Sequence, residues 1–224
     1  MERSWTRRNF IKTAAGVGLA LSFDRVFAAE QKSHVQQVTV NEDLMREHGL
    51  LERVLLIYEE IQRRFKSSDY RLEDLNESAG IIKHFVEDYH EKLEENYLFP
   101  RFRAAHKLVG LVDTLQAQHD KGRRITAEIL RLSGSGTGNK DIHHIDVLMS
   151  NFIHMYRPHY AREDTIVFPA FKNLVSPKEY QDLGERFEDK EHQLFGENGF
   201  EKVLGRVEGI EKRLGIYDLS RYGS

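Results

Sequence analysis

The pattern H-x-x-x-E-[ED]-x-x-[LV]-F-P-x-F is written twice in this chain, from His90 to Phe102 and from His159 to Phe171, at a constant offset of 69 residues. Each copy also has one earlier histidine, His48 lying 42 residues before His90 and His119 lying 40 before His159. A repeated unit of about forty residues with a histidine at each end is a helical hairpin written twice. Within each copy the His and Glu four apart sit one turn apart on one helical face, so both project the same way. Hairpin neighbours run antiparallel, so a residue some forty positions earlier returns to the same level. Two such hairpins bring His48, His90, Glu94, His119, His159 and Glu163 around one interior point.

The rest of the sequence agrees with helices. From Asn41 the residues Leu44, Leu51, Val54, Leu55, Tyr58, Ile61 and Phe65 recur at helical spacing, with Asn41 the expected N-cap and Glu42 and Asp43 in the first turn. Further helices are expected over 72–97, stopped by Pro100, over 108–132, and over 140–165 with a kink at Pro158. The run from Ser133 to Gly138 is the clearest loop. Shorter amphipathic pieces cover about 178–193 and 198–214. The expected fold is all-α, an up-down-up-down four-helix bundle over 41–175 with a C-terminal helical extension over 176–224. Phe99, Pro100, Phe168 and Pro169 are expected to end helices and pack the base of that bundle.

Four imidazoles and two carboxylates are more than one divalent ion takes from protein, but they suit two ions, each with two His nitrogens and with the carboxylates bridging. The chain has 11 histidines and no cysteine, so the donors are nitrogen and oxygen only. That set suits iron or manganese, with zinc as an alternative. Without cysteine there is also no disulfide, thiolate nucleophile or covalently attached haem. Two carboxylates buried face to face without a cation would be costly.

The arrangement H…HxxxE…H…HxxxE, with FP after each HxxxE, resembles the hemerythrin-like (HHE cation-binding) family of four-helix di-iron proteins over about residues 41–175. That resemblance implies that the six residues are iron ligands, with Glu94 and Glu163 bridging. Two departures bear on function. The oxygen-carrying members have a further His four after the third-helix ligand, where this chain has Arg123. Their last-helix carboxylate is an Asp five after its His, whereas Glu163 is four after His159. The pattern is closer to four-His, two-Glu members associated with iron handling and with nitrosative or oxidative stress.

Around this set, Glu91 is weighed as an extra terminal ligand, Glu52 as a partner for the outer nitrogen of His48, and Tyr156 and Gln116 as hydrogen-bonding neighbours of the ligands. His34, His84, His106, His143, His144, His154 and His192 lack the repeat relationship and read as structural or solvated.

The N-terminus reads as an address. Arg7-Arg8-Asn9-Phe10-Ile11-Lys12, a short apolar run and Val26-Phe27-Ala28-Ala29 resemble a twin-arginine signal over 1–28, followed by a linker over 29–40. The apolar run is too short for a stable membrane span, which takes about 20 residues. Cleavage near Ala28 would remove five basic and two acidic residues, leaving a mildly acidic mature chain. A net charge of −3 gives no reason to expect a nucleic-acid partner. The expectation is an exported, periplasmic di-iron protein that binds or reacts with O2, NO or peroxide, its partners being that small ligand and the twin-arginine export machinery. The alternatives are an iron scavenging or storage module without turnover, and a metal-free helical interaction protein.

Overall fold

The computed structural model describes residues 38–134 and 139–222. The signal-like segment 1–28 and His34 therefore lie outside the described residues. Among the described residues there are helices and no strand, and none of those helices is long and apolar enough to cross a membrane.

Helix α1 spans Val40–Phe65. Its cap is Thr39 and not Asn41: the Thr39 hydroxyl accepts from the Glu42 backbone N–H and the Glu42 carboxylate accepts from the Thr39 N–H, a capping box. Asn41 is used elsewhere, its amide donating to the Phe168 carbonyl at 2.7 Å and so tying the start of α1 to the end of α4. Helix α2 begins at Leu72–Ile81 and runs without a break through a π-helical stretch Ile82–His90, a short α turn Glu91–Leu93, a second π stretch Glu94–Leu98 and a last α segment Phe99–Ala104. Helix α3 is Val109–Ser133. Helix α4 is Asn139–Arg162, which contains Pro158, and it continues through a π stretch Glu163–Val167 into Phe168–Lys172.

The two Phe-Pro pairs thus do not end their helices. Each proline falls in the first turn of a new α segment, where its missing N–H costs no intrahelical bond. The wide turn before it makes that possible. The Phe99 N–H reaches the Glu94 carbonyl and the Phe168 N–H reaches that of Glu163, each five residues back.

Helix α1 packs on α2 and α4, and α3 packs between α2 and α4. Their shared core includes Val54, Leu55, Ile82, Leu93, Leu115, Ile129, Met149 and Phe152. Helices α5, Pro177–Phe195, and α6, Gly199–Leu214, lie against α1 and α2. Buried Leu183, Phe187, Phe200 and Val207 face inward from them. Phe85 of α2 meets the rings of Phe195 and Phe200 at 5.4 and 6.0 Å. Charged pairs close the seam: Arg53 clamps Glu211 with contacts of 2.9 and 2.5 Å, and Arg213 reaches Asp74 at 2.7 Å.

Candidate metal centre

His48 comes from α1, His90 and Glu94 from α2, His119 from α3, and His159 and Glu163 from α4, and the packing of the four brings all six together. Every one is buried, none exposing more than 3 % of its surface. They sort into two groups of potential ligand atoms, His48 with His90 and Glu94, and His119 with His159 and Glu163. His48 and His90 face each other through Nε2 at 3.0 Å, and His119 and His159 do the same at 3.1 Å.

Each carboxylate spans both histidine pairs. Glu94 lies 3.8 Å from His90 Nε2 with one oxygen and 3.4 Å from His119 Nε2 with the other. Glu163 lies 3.0 Å from His159 Nε2 and 3.4 Å from His48 Nε2, again with separate oxygens. Despite these approaches, no aligned hydrogen bond reaches any of the four oxygens. Fully buried carboxylate oxygens without donors are rare, and a cation between them and the imidazole nitrogens supplies what they lack. With nitrogen and oxygen donors alone, the residues fit iron or another first-row divalent ion.

All four Nδ1 atoms point outward onto acceptors. His48 contacts Asp164 at 2.7 Å, His90 contacts Glu47 at 2.8 Å, His119 contacts Glu95 at 3.1 Å and His159 contacts Gln118 at 2.9 Å. An acceptor at Nδ1 fixes the tautomer that leaves the Nε2 lone pair free for a metal. Each acceptor is the chain neighbour of a ligand. Asp164 and Glu95 directly follow Glu163 and Glu94, and Glu47 and Gln118 directly precede His48 and His119. The Phe-Pro phenylalanines add an apolar cover, Phe168 stacking on His48 at 5.3 Å and Phe99 on His119 at 5.6 Å.

Glu52 acts elsewhere, and a nearby glutamine contacts a ligand in place of Gln116. Glu52 does not meet His48; it binds Arg157 at 2.8 Å and accepts from the Tyr160 hydroxyl at 2.5 Å. It is Gln118, two residues on from Gln116, that reaches His159. Tyr156 is beside the site, its ring 5.3 Å from that of His159, but its hydroxyl donates to Glu91 at 2.6 Å. Glu91 is 1 % exposed and is held also by Arg123 at 2.6 Å. Gly122 makes room for this contact, because a Cβ there would lie 2.0 Å from the Tyr156 oxygen. Glu91 also groups with Glu95 and His119 as potential ligands, with Arg123 bonded to both carboxylates. Of the other histidines, His84, His106, His143, His144, His154 and His192 are exposed.

The electrostatics reflect crowded acid groups. Burial, then the charges of Glu163 and Glu91, push the Glu94 carboxyl well above the ordinary range. Burial would also raise Glu163, but His159, His48 and His119 outweigh it and hold that carboxyl down. Burial lowers His48 in spite of Asp164. His119 is raised, burial being overcome by Glu91 and Glu95.

Fold and donor set together define an all-helical protein with a buried histidine and glutamate cation centre. Residues 39–171 match the hemerythrin HHE cation-binding domain, and the chain belongs to that family. It is 48% identical over 189 residues to uncharacterized proteins of Mycobacterium bovis and of Mycobacterium tuberculosis, a stretch covering 83% of this chain and 74% of those relatives. No solved structure matches the chain.

Proposed function

We propose that this protein holds two iron ions in an up-down-up-down four-helix bundle and uses them to bind or react with O2, NO or peroxide. The observation that carries the reading is the reach of each carboxylate to both histidine pairs, Glu94 to His90 and His119, and Glu163 to His159 and His48. Each ion would take two Nε2 donors and share the two carboxylates as bridges. Iron held this way offers open coordination positions and a change of oxidation state to a small ligand. Manganese and zinc are the lesser candidates. The chain's own part is positioning: Asp164, Glu47, Glu95 and Gln118 set the imidazole tautomers, and Phe99 and Phe168 keep bulk water off the rings. The signal-like residues 1–28 support export through the twin-arginine route to the periplasm.

The test is metal analysis after loading with ferrous iron, followed by an anaerobic spectral titration with O2 and with NO. The expected result is two irons per chain and a spectrum that changes on adding either gas. Folded protein that takes up no iron overturns the reading. Two irons that are inert to both gases and released to mild chelators would favour scavenging or storage.

A further inference from the structure

A second group of polar side chains lies in the core, on the α2 face that carries the ligands but nearer the start of that helix. Glu87 precedes His90 by three residues and Glu91 by four, and it is 0 % exposed. Facing it are Tyr58 of α1 and Thr126 of α3, also 0 % exposed. The Thr126 hydroxyl approaches the Glu87 carboxyl closely enough to pull on its proton, but no well-aligned hydrogen bond reaches either Glu87 oxygen, the Thr126 hydroxyl or the Tyr58 hydroxyl. From α4 the wall is aromatic, Phe152 lying 6.0 Å from the Tyr58 ring and stacking on Tyr156 at 4.2 Å.

Four such atoms from three helices, meeting at one place, are not scattered defects. Buried polar groups in native proteins are satisfied by protein or by water, and a buried water typically takes about three partners. The metal centre does not explain them, since none of the three residues belongs to it. Nor does the repeat, because at the corresponding offsets Tyr58 aligns with Ile129, Thr126 with Leu55 and Glu87 with Tyr156. At the matching positions stand two aliphatic side chains and a tyrosine whose hydroxyl is already bonded to Glu91, so no such cluster is repeated there.

We propose that Tyr58, Glu87 and Thr126 enclose an internal hydration site in which Glu87 stands as a neutral acid, and that charging the metal centre drives its proton out. Water there would accept from Glu87 and exchange hydrogen bonds with the two hydroxyls. Ionising Glu87 without a cation would leave a bare charge in the core. Burial accordingly raises its carboxyl to about 7 against the pull of Thr126, with Glu91 adding to the rise and Lys83 and Arg123 opposing it. The other titratable groups facing it are the phenols of Tyr58 and Tyr156, both pushed up, by burial first and by carboxylate charge after it. The two cations that act on it are bonded to other acids, Lys83 to Asp88 and Arg123 to Glu91, Glu95 and Asp120. Divalent ions held a turn further along α2 would add positive charge through a low-dielectric interior, favouring the carboxylate. The proton then leaves the Glu87 oxygen for the bound water and passes to solvent, the metal charge compensating the anion left behind.

The second half of this inference rests on the metal reading above, and the experiment separates the two. Infrared spectra of the metal-free protein and of Glu87→Gln are compared below the value of about 7 to which burial raises the Glu87 carboxyl. The wild type is expected to show a protonated-acid carbonyl band that the variant lacks; any acid band from Glu94 is common to both and cancels. Thr126→Val should shift this band without removing it. Both proteins are then loaded with divalent manganese alone, and the protons released are counted by pH-stat. The wild type should release up to one proton more than Glu87→Gln, with its band lost in parallel. No difference band in the metal-free protein overturns the proposal whatever the metal does. Equal proton release at equal metal uptake overturns the coupling. Failure of both proteins to take up manganese or iron overturns the metal reading instead, while the metal-free band still decides the state of Glu87.

Discussion

Glu52 and Asp164 both stand near His48, and only one of them touches it. Spacing favours Glu52, one helical turn from His48 on the same helix. The structure gives Nδ1 to Asp164 from α4 at 2.7 Å and leaves Glu52 to Arg157 and Tyr160. Asp164→Ala is therefore expected to weaken ferrous iron binding by about 10- to 100-fold, the usual effect of removing an outer hydrogen-bond partner of a ligating histidine. Glu52→Ala should leave that affinity unchanged. Anaerobic competition with a chromophoric chelator reads both, and the reverse ranking would remove Asp164 from the site. The signal for Asp164 was present in the sequence, since the acidic residue after each Glu belongs to the repeat itself, as Glu95 and Asp164. Helical geometry obscured it, because consecutive residues do not share a face. In this fold the neighbour of one helix's ligand serves the histidine of the next helix. The six central residues were legible for the opposite reason: the i,i+4 spacing within one helix and the 69-residue offset between hairpins are both sequence quantities.

The same division holds for the helices. Hydrophobic period locates α1 and α3 closely, whereas α2 and α4 run past the Phe-Pro pairs that read as stops. Proline is a stop only where the preceding turn is α-helical. Here Glu94 and Glu163 each open a π turn, and the Phe-Pro pair starts a fresh α register five residues later, which period-based reading cannot register. That placement puts the wide turn at the carboxylate that has to reach two histidine pairs. If the proline holds the turn open by withholding an N–H, Pro100→Ala restores a donor able to draw Glu94–Leu98 back towards α geometry. Global stability should then change by no more than about 1 kcal/mol, the scale of backbone-entropy substitutions. Iron affinity should fall as Glu94 turns away from His119. Urea unfolding of the metal-free variant beside its iron titration separates the two effects; unchanged affinity would mean that packing, and not the proline, sets the turn.

At the scale of the whole molecule, metal and proton compete for the same buried charge. Burial and the neighbouring acids raise Glu94 in the folded state above its ordinary 4.5, so below that value it contributes nothing, and above it the unfolded chain is favoured increasingly as it ionises. Glu87 acts with the same sign up to about 7. Glu163 works the other way, giving stability above its ordinary value that is lost as pH falls towards about 2. From mildly acid to neutral pH Glu94 and Glu87 act together, the raised His119 adds to their slope and the lowered His48 opposes it, so the metal-free protein should lose stability as pH rises. Cations at the centre reverse that slope, because they bind the deprotonated ligands and displace the protons the folded chain would otherwise hold. Free metal at about 100 times its dissociation constant adds about 2.7 kcal/mol per site. As the dissociation constant falls with rising pH, the same free metal should add more. The measurable consequence is a gap between the urea midpoints of loaded and chelated protein that widens from about pH 5 to about pH 7, in proportion to the protons displaced. A gap that stays constant over this range would show that Glu94 and Glu87 are already ionised in the metal-free fold, and that some cation of the chain itself balances them.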